Sequence, residues 1–173
     1  MIEGFTSERD RIDVHVDGSV LLSLHLAADG PVAATGLAGA SGPRSEARLV
    51  QPLVEILAVG HGHAVANHTG SATAIGARLR YRRHEIDARD GGALLVVEQH
   101  DPVSGLTAHS FLWLPASAGG VECWTSVVNE GPDVVWLQSV SSLMIGQPLG
   151  AVGIAATSSI EGRSDWLGEF RWI

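Results

Sequence analysis

A hydrophobic period of two runs through most of this chain and is broken at short intervals by turn residues. Successive side chains of a strand point to opposite faces, so the pattern predicts strands with one face buried. Residues 11–16 read RIDVHV, with Ile12, Val14 and Val16 on one face. After Asp17-Gly18, the run SVLLSLHLAA puts Val20, Leu22, Leu24 and Leu26 on one face. Alternating runs joined by Asp-Gly predict a tight hairpin. Asp29-Gly30-Pro31 ends the second run. Residues 36–48, GLAGASGPRSEAR, are small and turn-rich and predict a loop.

Residues 53–59, LVEILAV, predict a continuous apolar strand with one carboxylate, Glu55. Residues 60–76 are rich in Gly, His and Thr and show no helical period. ARLRYRRHEIDA (77–88), the turn RDGG and ALLVVEQH (93–100) predict a second hairpin. The turn 101–105 leads into LTAHSFLWL (106–114), and the loop 115–120 into VECWTSVV (121–128). The turn 129–132 leads into VVWLQSVSSLMI (134–145), and AVGIAAT (151–157) follows. About nine strands at this spacing, with no stripe at i, i+3, i+4, i+7, predict an all-β antiparallel sandwich. Helix is expected in under about a tenth of the residues. The length of 173 residues suits one domain over 1–173.

Charge narrows the function. Nineteen acidic against 11 basic residues give a net charge of −8, whereas a nucleic-acid surface needs a basic patch. Arg78, Arg80, Arg82 and Arg83 cluster, and on a strand three of the four share a face, which reads as a solvated face. The single Cys123 rules out an internal disulfide and reads as a small buried residue. No apolar leader and no stretch of about 20 apolar residues is present, so neither secretion nor a membrane partner is expected and the location defaults to cytoplasmic. The sequon Asn67-His68-Thr69 then carries no meaning.

Motifs for chemistry are weak. Gly60-His61-Gly62-His63 follows a strand, but Val65 replaces the third glycine of a dinucleotide loop and no helix is expected after it. His61, His63 and His68 offer metal-binding chemistry on a turn-rich segment, and a solvated loop explains them better. The scattered His15, His25, His84, His100 and His109 read as half-exposed sheet residues. Glycoside hydrolysis needs two carboxyls across a cleft, and spacing pairs none of Glu55, Glu98, Asp101 and Glu122. No catalytic residue, metal site or cofactor is assigned.

The last residues are the informative ones. Ser164-Asp165-Trp166-Leu167-Gly168-Glu169-Phe170-Arg171-Trp172-Ile173 holds two of the five tryptophans. Such a density of apolar surface is costly in water and calls for a packing partner. This closing motif, with Trp166, Leu167, Gly168, Glu169, Arg171 and Trp172, resembles the end of the N-terminal β-domain of glycoside hydrolase family 36, the α-galactosidases and relatives. Arg78-Leu79-Arg80-Tyr81 with His84, Leu94 to Val97, Asp101 with Gly105-Leu106, Val127 to Gly131 and Val140 to Leu143 agree in order. The resemblance spans residues 50 to 173. It implies a supersandwich domain that docks on a catalytic (β/α)8 barrel of the same polypeptide and supports oligomerisation. The barrel would carry both catalytic aspartates, so this domain would reach the carbohydrate substrate only through the parent enzyme and be inactive alone. The resemblance makes Trp166 and Trp172 apolar anchors of the interdomain joint and Glu169 with Arg171 a hydrogen-bonded pair there. In some relatives an aromatic-bearing loop of a neighbouring subunit closes over the pocket, and the matching segment 36–48 here holds no aromatic residue.

Two other classes compete. A free carbohydrate-binding module would expose aromatics on one sheet face, and Phe111 and Trp113 share a face, with Trp124 and Trp136 on other strands. In a sandwich these four are expected in the core. A mutarotase-like epimerase would need a His and Glu pair facing a pocket.

Overall fold

The computed structural model describes residues 4–16, 19–37, 51–66, 70–117, 120–145, 162–165 and 168–172. For 162–172 the described part is the backbone. The fold is all-β and antiparallel. The first sheet has the order β1-β2-β3-β4, with β1 Phe5–Ser7, β2 Arg11–Val16, β3 Ser19–His25 and β4 Ala33–Leu37. The second has the order β6-β7-β8-β9, with β6 Arg80–Arg89, β7 Gly92–His100, β8 Leu106–Pro115 and β9 Glu122–Asn129. Two short pairs complete it: β5 Ile56–Ala58 with β10 Leu137–Val140, and β11 Gly162–Asp165 with β12 Gly168–Trp172. Between β5 and β6 lies the helix α1, Ala74–Arg78.

The two four-stranded sheets share one core, which makes the architecture a sandwich. Ile12, Val14, Leu22 and Leu24 of the first sheet and Leu95, Val97, Leu106, Ala108 and Leu112 of the second are at most 1% exposed and belong to one cluster. Each such aliphatic side chain removed from water stabilises the fold by roughly 1.5–3 kcal/mol. Polar links tie the sheets together. Val32 N donates to buried Gln99 Oε1 at 2.8 Å, and Ser7 Oγ lies 3.0 Å from His84 Nε2.

The predicted hairpins are present. β2 pairs β3, β6 pairs β7, β7 pairs β8 and β8 pairs β9, all antiparallel. The loop between β7 and β8 is built on Asp101, whose carboxylate accepts from Val103 N, Ser104 N and Ser104 Oγ. Gly105 closes that loop at φ +73, and a Cβ there would lie 2.6 Å from the Gly131 backbone. Only glycine meets both demands.

Four expectations need correction. The continuous strand over 53–59 reduces to Ile56–Ala58, because Leu53 N donates to Val32 O while Leu53 O and Glu55 O accept from Met144 N and Ser141 N. The segment crosses the core and gives its hydrogen bonds to three different neighbours. The strand expected from residue 77 begins at Arg80, after α1, whose five residues are too few for a periodic signal. The loop expected from residue 36 starts later, since Gly36 and Leu37 pair with Ser23 and Leu22 in β4; residues 38–48 lie outside the described residues, as does the expected strand 151–157. The long strand over 134–145 reduces to Leu137–Val140.

Candidate functional site

The acids come first, since hydrolysis would need two of them. Glu55, the residue before β5, is 1% exposed. Its Oε1 accepts from Ala72 N at 2.7 Å, and its Oε2 accepts from Thr73 N at 2.9 Å and Thr73 Oγ1 at 2.5 Å. The Thr73 hydroxyl in turn accepts from Gly76 N and caps α1. Glu55 therefore stitches the loop before α1 to the core. Asp101, fully buried, is gripped by Arg78 through Nε at 3.0 Å and a second guanidinium nitrogen at 2.8 Å. Burial pushes the Asp101 carboxyl up, but the Arg78, Ser104 and Val103 hydrogen bonds outweigh it and hold it below the usual carboxylate range.

Glu98 stands on the outer face of β7. Arg83 Nε donates to its Oε2 at 2.8 Å, Arg82 reaches its Oε1 at 3.4 Å, and His109 Nε2 lies 3.6 Å away. Partial burial pushes this carboxyl up, and the two arginines pull it below its ordinary value. Arg82 continues to Glu130 at 2.9 Å, which makes a short surface network. The expectation that Arg78, Arg80 and Arg82 share a strand face fails. Arg78 belongs to α1, and an irregularity between Tyr81 and Arg83 lets Arg82 and Arg83 both reach Glu98. Glu122 is exposed at the start of β9, opposite Trp113. Glu55, Asp101 and Glu98 each have their own partners, in the loop before α1, in Arg78, and in Arg82 with Arg83. His109 and Glu98 do meet, on the solvent side of a sheet and not in a pocket as an epimerase requires.

The histidines are dispersed. His61 Nδ1 lies 3.4 Å from an Arg78 guanidinium nitrogen, and His68 lies outside the described residues. Among the described residues no three His, Cys, Asp or Glu converge as a metal site. Likewise no helix among them is long and apolar enough to cross a membrane.

The aromatic residues overturn their expectation. On β8 the inward positions are Leu106, Ala108, Ser110, Leu112 and Leu114, all buried, so Phe111 and Trp113 fall on the outer face. Register places Val96, Phe111 and Trp124 in one row across β7, β8 and β9, with Leu94, Trp113 and Glu122 in the next. The Phe111 and Trp124 rings are parallel within 2°, with centroids 5.1 Å apart. Trp124 is 43% exposed. A Cβ on Gly92 would lie 2.8 Å from Cζ2 and Cη2 of Trp113, so the indole lies across the bare Cα of that glycine. Leu94 is 3% exposed yet stands apart from the main core, buried on this outer side instead. Trp136, just before β10, is 71% exposed. The small aliphatic face won the interior and the aromatic face was left outside. This aromatic strip, flanked by the network of Arg82, Arg83, Glu98 and His109, is the candidate functional surface; alternation in LTAHSFLWL puts Phe111 and Trp113 on one face without saying that this face is the outer one.

Of the sequence-derived docking residues, Glu169, Arg171 and Trp172 lie on β12, where Arg171 pairs with Arg163 and Trp172 with Gly162 in backbone register. Their side chains, and all of Trp166, lie outside the described residues. No family model, curated protein or solved structure matches the chain.

Proposed function

We propose that this chain is the accessory β-domain of an α-galactosidase-like glycoside hydrolase, docking on and shaping the wall of a catalytic barrel supplied by the same polypeptide. The observation that carries the reading is the commitment of the acids. Glu55 and Asp101 are buried and fully hydrogen-bonded, and Glu98 is clamped by two arginines. Retaining hydrolysis needs two carboxyls about 5–5.5 Å apart around the scissile bond. With these three acids occupied in holding the fold, and Glu122 exposed at the start of β9, the chemistry would fall to another domain. The order of the motifs supports the same reading, from Arg78-Leu79-Arg80-Tyr81 to the closing Trp166 to Trp172. Arg78 and Asp101, which lie in two separate segments of the resemblance, form an ion pair whose carboxylate is buried. Trp166, Glu169, Arg171 and Trp172 would make the joint.

The test has two arms. The natural reading frame should continue past Ile173 into roughly 250 or more residues of alternating strand and helix, with acidic residues at strand ends. The purified 173-residue chain should not turn over a nitrophenyl α-galactoside. A stop codon directly after Ile173, or turnover that survives removal of host enzyme, refutes the proposal.

A further inference from the structure

We infer that the outer face of the second sheet binds a neutral oligosaccharide, with a pyranose ring stacked on Trp124 and its hydroxyls held by the polar row beside it. The inference stands on the sheet alone and does not depend on a barrel following the chain.

The face combines two kinds of surface in register. Two adjacent rows, Leu94 with Trp113 and Val96 with Phe111 and Trp124, form an apolar floor across three strands. The floor is preorganised. Trp113 is seated over Gly92, and Phe111 backs Trp124 in a parallel stack. Aromatic rings with two rotatable bonds lose little freedom when a ligand arrives. The next row along the strands is polar: Glu98, His109 and Ser126. Rows on one face are about 7 Å apart, since each residue advances the strand by about 3.3 Å and only alternate residues point the same way.

A pyranose matches this layout. One of its faces is a patch of C–H groups carrying slight positive charge, and its rim is a ring of hydroxyls. The face of an indole is negative, so it attracts such C–H groups as well as burying them. The Ser126 hydroxyl and Glu122 carboxylate, at the borders of the floor, make no hydrogen bond with the described residues and remain available to hydroxyl groups.

The charges favour a neutral ligand over an ionic one. Arg83 is paired with Glu85 and Glu98, and Arg82 with Glu98 and Glu130. A phosphate or a carboxylate ligand would have to break these pairs, whereas a sugar needs only to hydrogen-bond around them.

Affinity electrophoresis of the 173-residue chain tests the inference, in native gels cast with galactomannan, with a mixed-linkage glucan, or with no polysaccharide. Retardation by either polysaccharide is expected for the native chain. Trp124→Ala should weaken it about tenfold, the loss that an aromatic contact of roughly 1–1.5 kcal/mol implies. Ser126→Ala, which leaves the aromatic floor intact, should weaken it by a smaller factor. Trp136→Ala, at an exposed tryptophan that belongs to none of the strands β6 to β9, should leave it unchanged. Urea midpoints equal to that of the native chain verify that the variants fold. Migration unaltered by both polysaccharides overturns the inference, as does a loss with Trp136→Ala equal to that with Trp124→Ala. A concentration-dependent dimer abolished by Trp124→Ala, without sugar retardation, also overturns it and assigns the face to a second copy of the chain. None of these results bears on whether a barrel follows Ile173, so the two proposals fail independently.

Discussion

Gly76→Ala should destabilise this protein, although helix propensity alone says the opposite. Gly76 lies in α1, where alanine is ordinarily preferred by about 1 kcal/mol. Here a Cβ would sit 2.8 Å from Thr73 Oγ1 and too close to Glu55 Oε2, at 2.3 Å, for any real contact. Both neighbours are buried and held, so neither can swing into solvent. The Glu55 carboxylate must retreat and give up its bonds from Thr73 N and Thr73 Oγ1. Hydrogen bonds to a charged group contribute about 1.5–3 kcal/mol each, so two of them less the propensity gain leave a net loss of about 2–5 kcal/mol. That is a large share of a typical stability of 5–15 kcal/mol. The loss should also spread to Ala72, which adopts φ +54 and whose N–H is bonded to Glu55 Oε1. A non-glycine residue in that region persists only when its surroundings hold it there.

Urea denaturation followed by far-ultraviolet circular dichroism measures the effect. The decisive comparison is a double-mutant cycle. Glu55→Ala is itself destabilising, but it empties the space that the new methyl needs. On that background Gly76→Ala should cost little, or return up to about 1 kcal/mol through helix propensity. If Gly76→Ala is neutral or stabilising in the native background, Glu55 does not lock the α1 junction and the reasoning is wrong. Equal costs in the two backgrounds would refute it as well.

Acid should weaken the loop between β7 and β8. The Asp101 carboxyl lies below its unfolded value, so its stabilisation is complete above the ordinary carboxylate range and is lost as pH falls through the depressed folded value. Asp101→Asn should therefore lower stability at neutral pH and flatten its decline below about pH 4, read from urea midpoints across pH. Burial pushes the half-buried Cys123 thiol up. Its reaction with a thiol reagent at neutral pH should be slower in the folded chain than in urea, and an equal rate in both states would refute the burial. If the proposed barrel follows the chain, Trp172→Ala should weaken the whole polypeptide by about 3 kcal/mol, as loss of a buried aromatic does, and the 173-residue chain by clearly less. Equal shifts in melting curves of the two would place Trp172 in this domain's own core and remove it from the joint.

What the sequence determined by itself is the set of neighbouring strand pairs. RIDVHV and SVLLSLH, or ALLVVEQH and LTAHSFLWL, are adjacent in the chain, alternate with period two and are joined by turn residues. All the information for β2 with β3 and for β6 to β9 is local. The Asp101 turn was legible for the same reason, since its partners Val103 and Ser104 are two and three residues away. Tertiary structure decided which face of each pair went inside. LTAHSFLWL offers one face of Leu, Ala, Ser, Leu and Leu and another of Thr, His, Phe and Trp, and period two cannot choose between them. The choice was made by the facing sheet, where Ile12, Val14, Leu22 and Leu24 leave a gap filled by aliphatic side chains, so Phe111, Trp113 and Trp124 were left on the outside. Glu55 was invisible as a structural anchor for the same physical reason. Its amide donates to Ser141 Oγ, 86 positions along the chain, and its carboxylate serves residues 17 and 18 positions away. A buried charge is tolerated only where such partners converge, and convergence is a property of the folded chain.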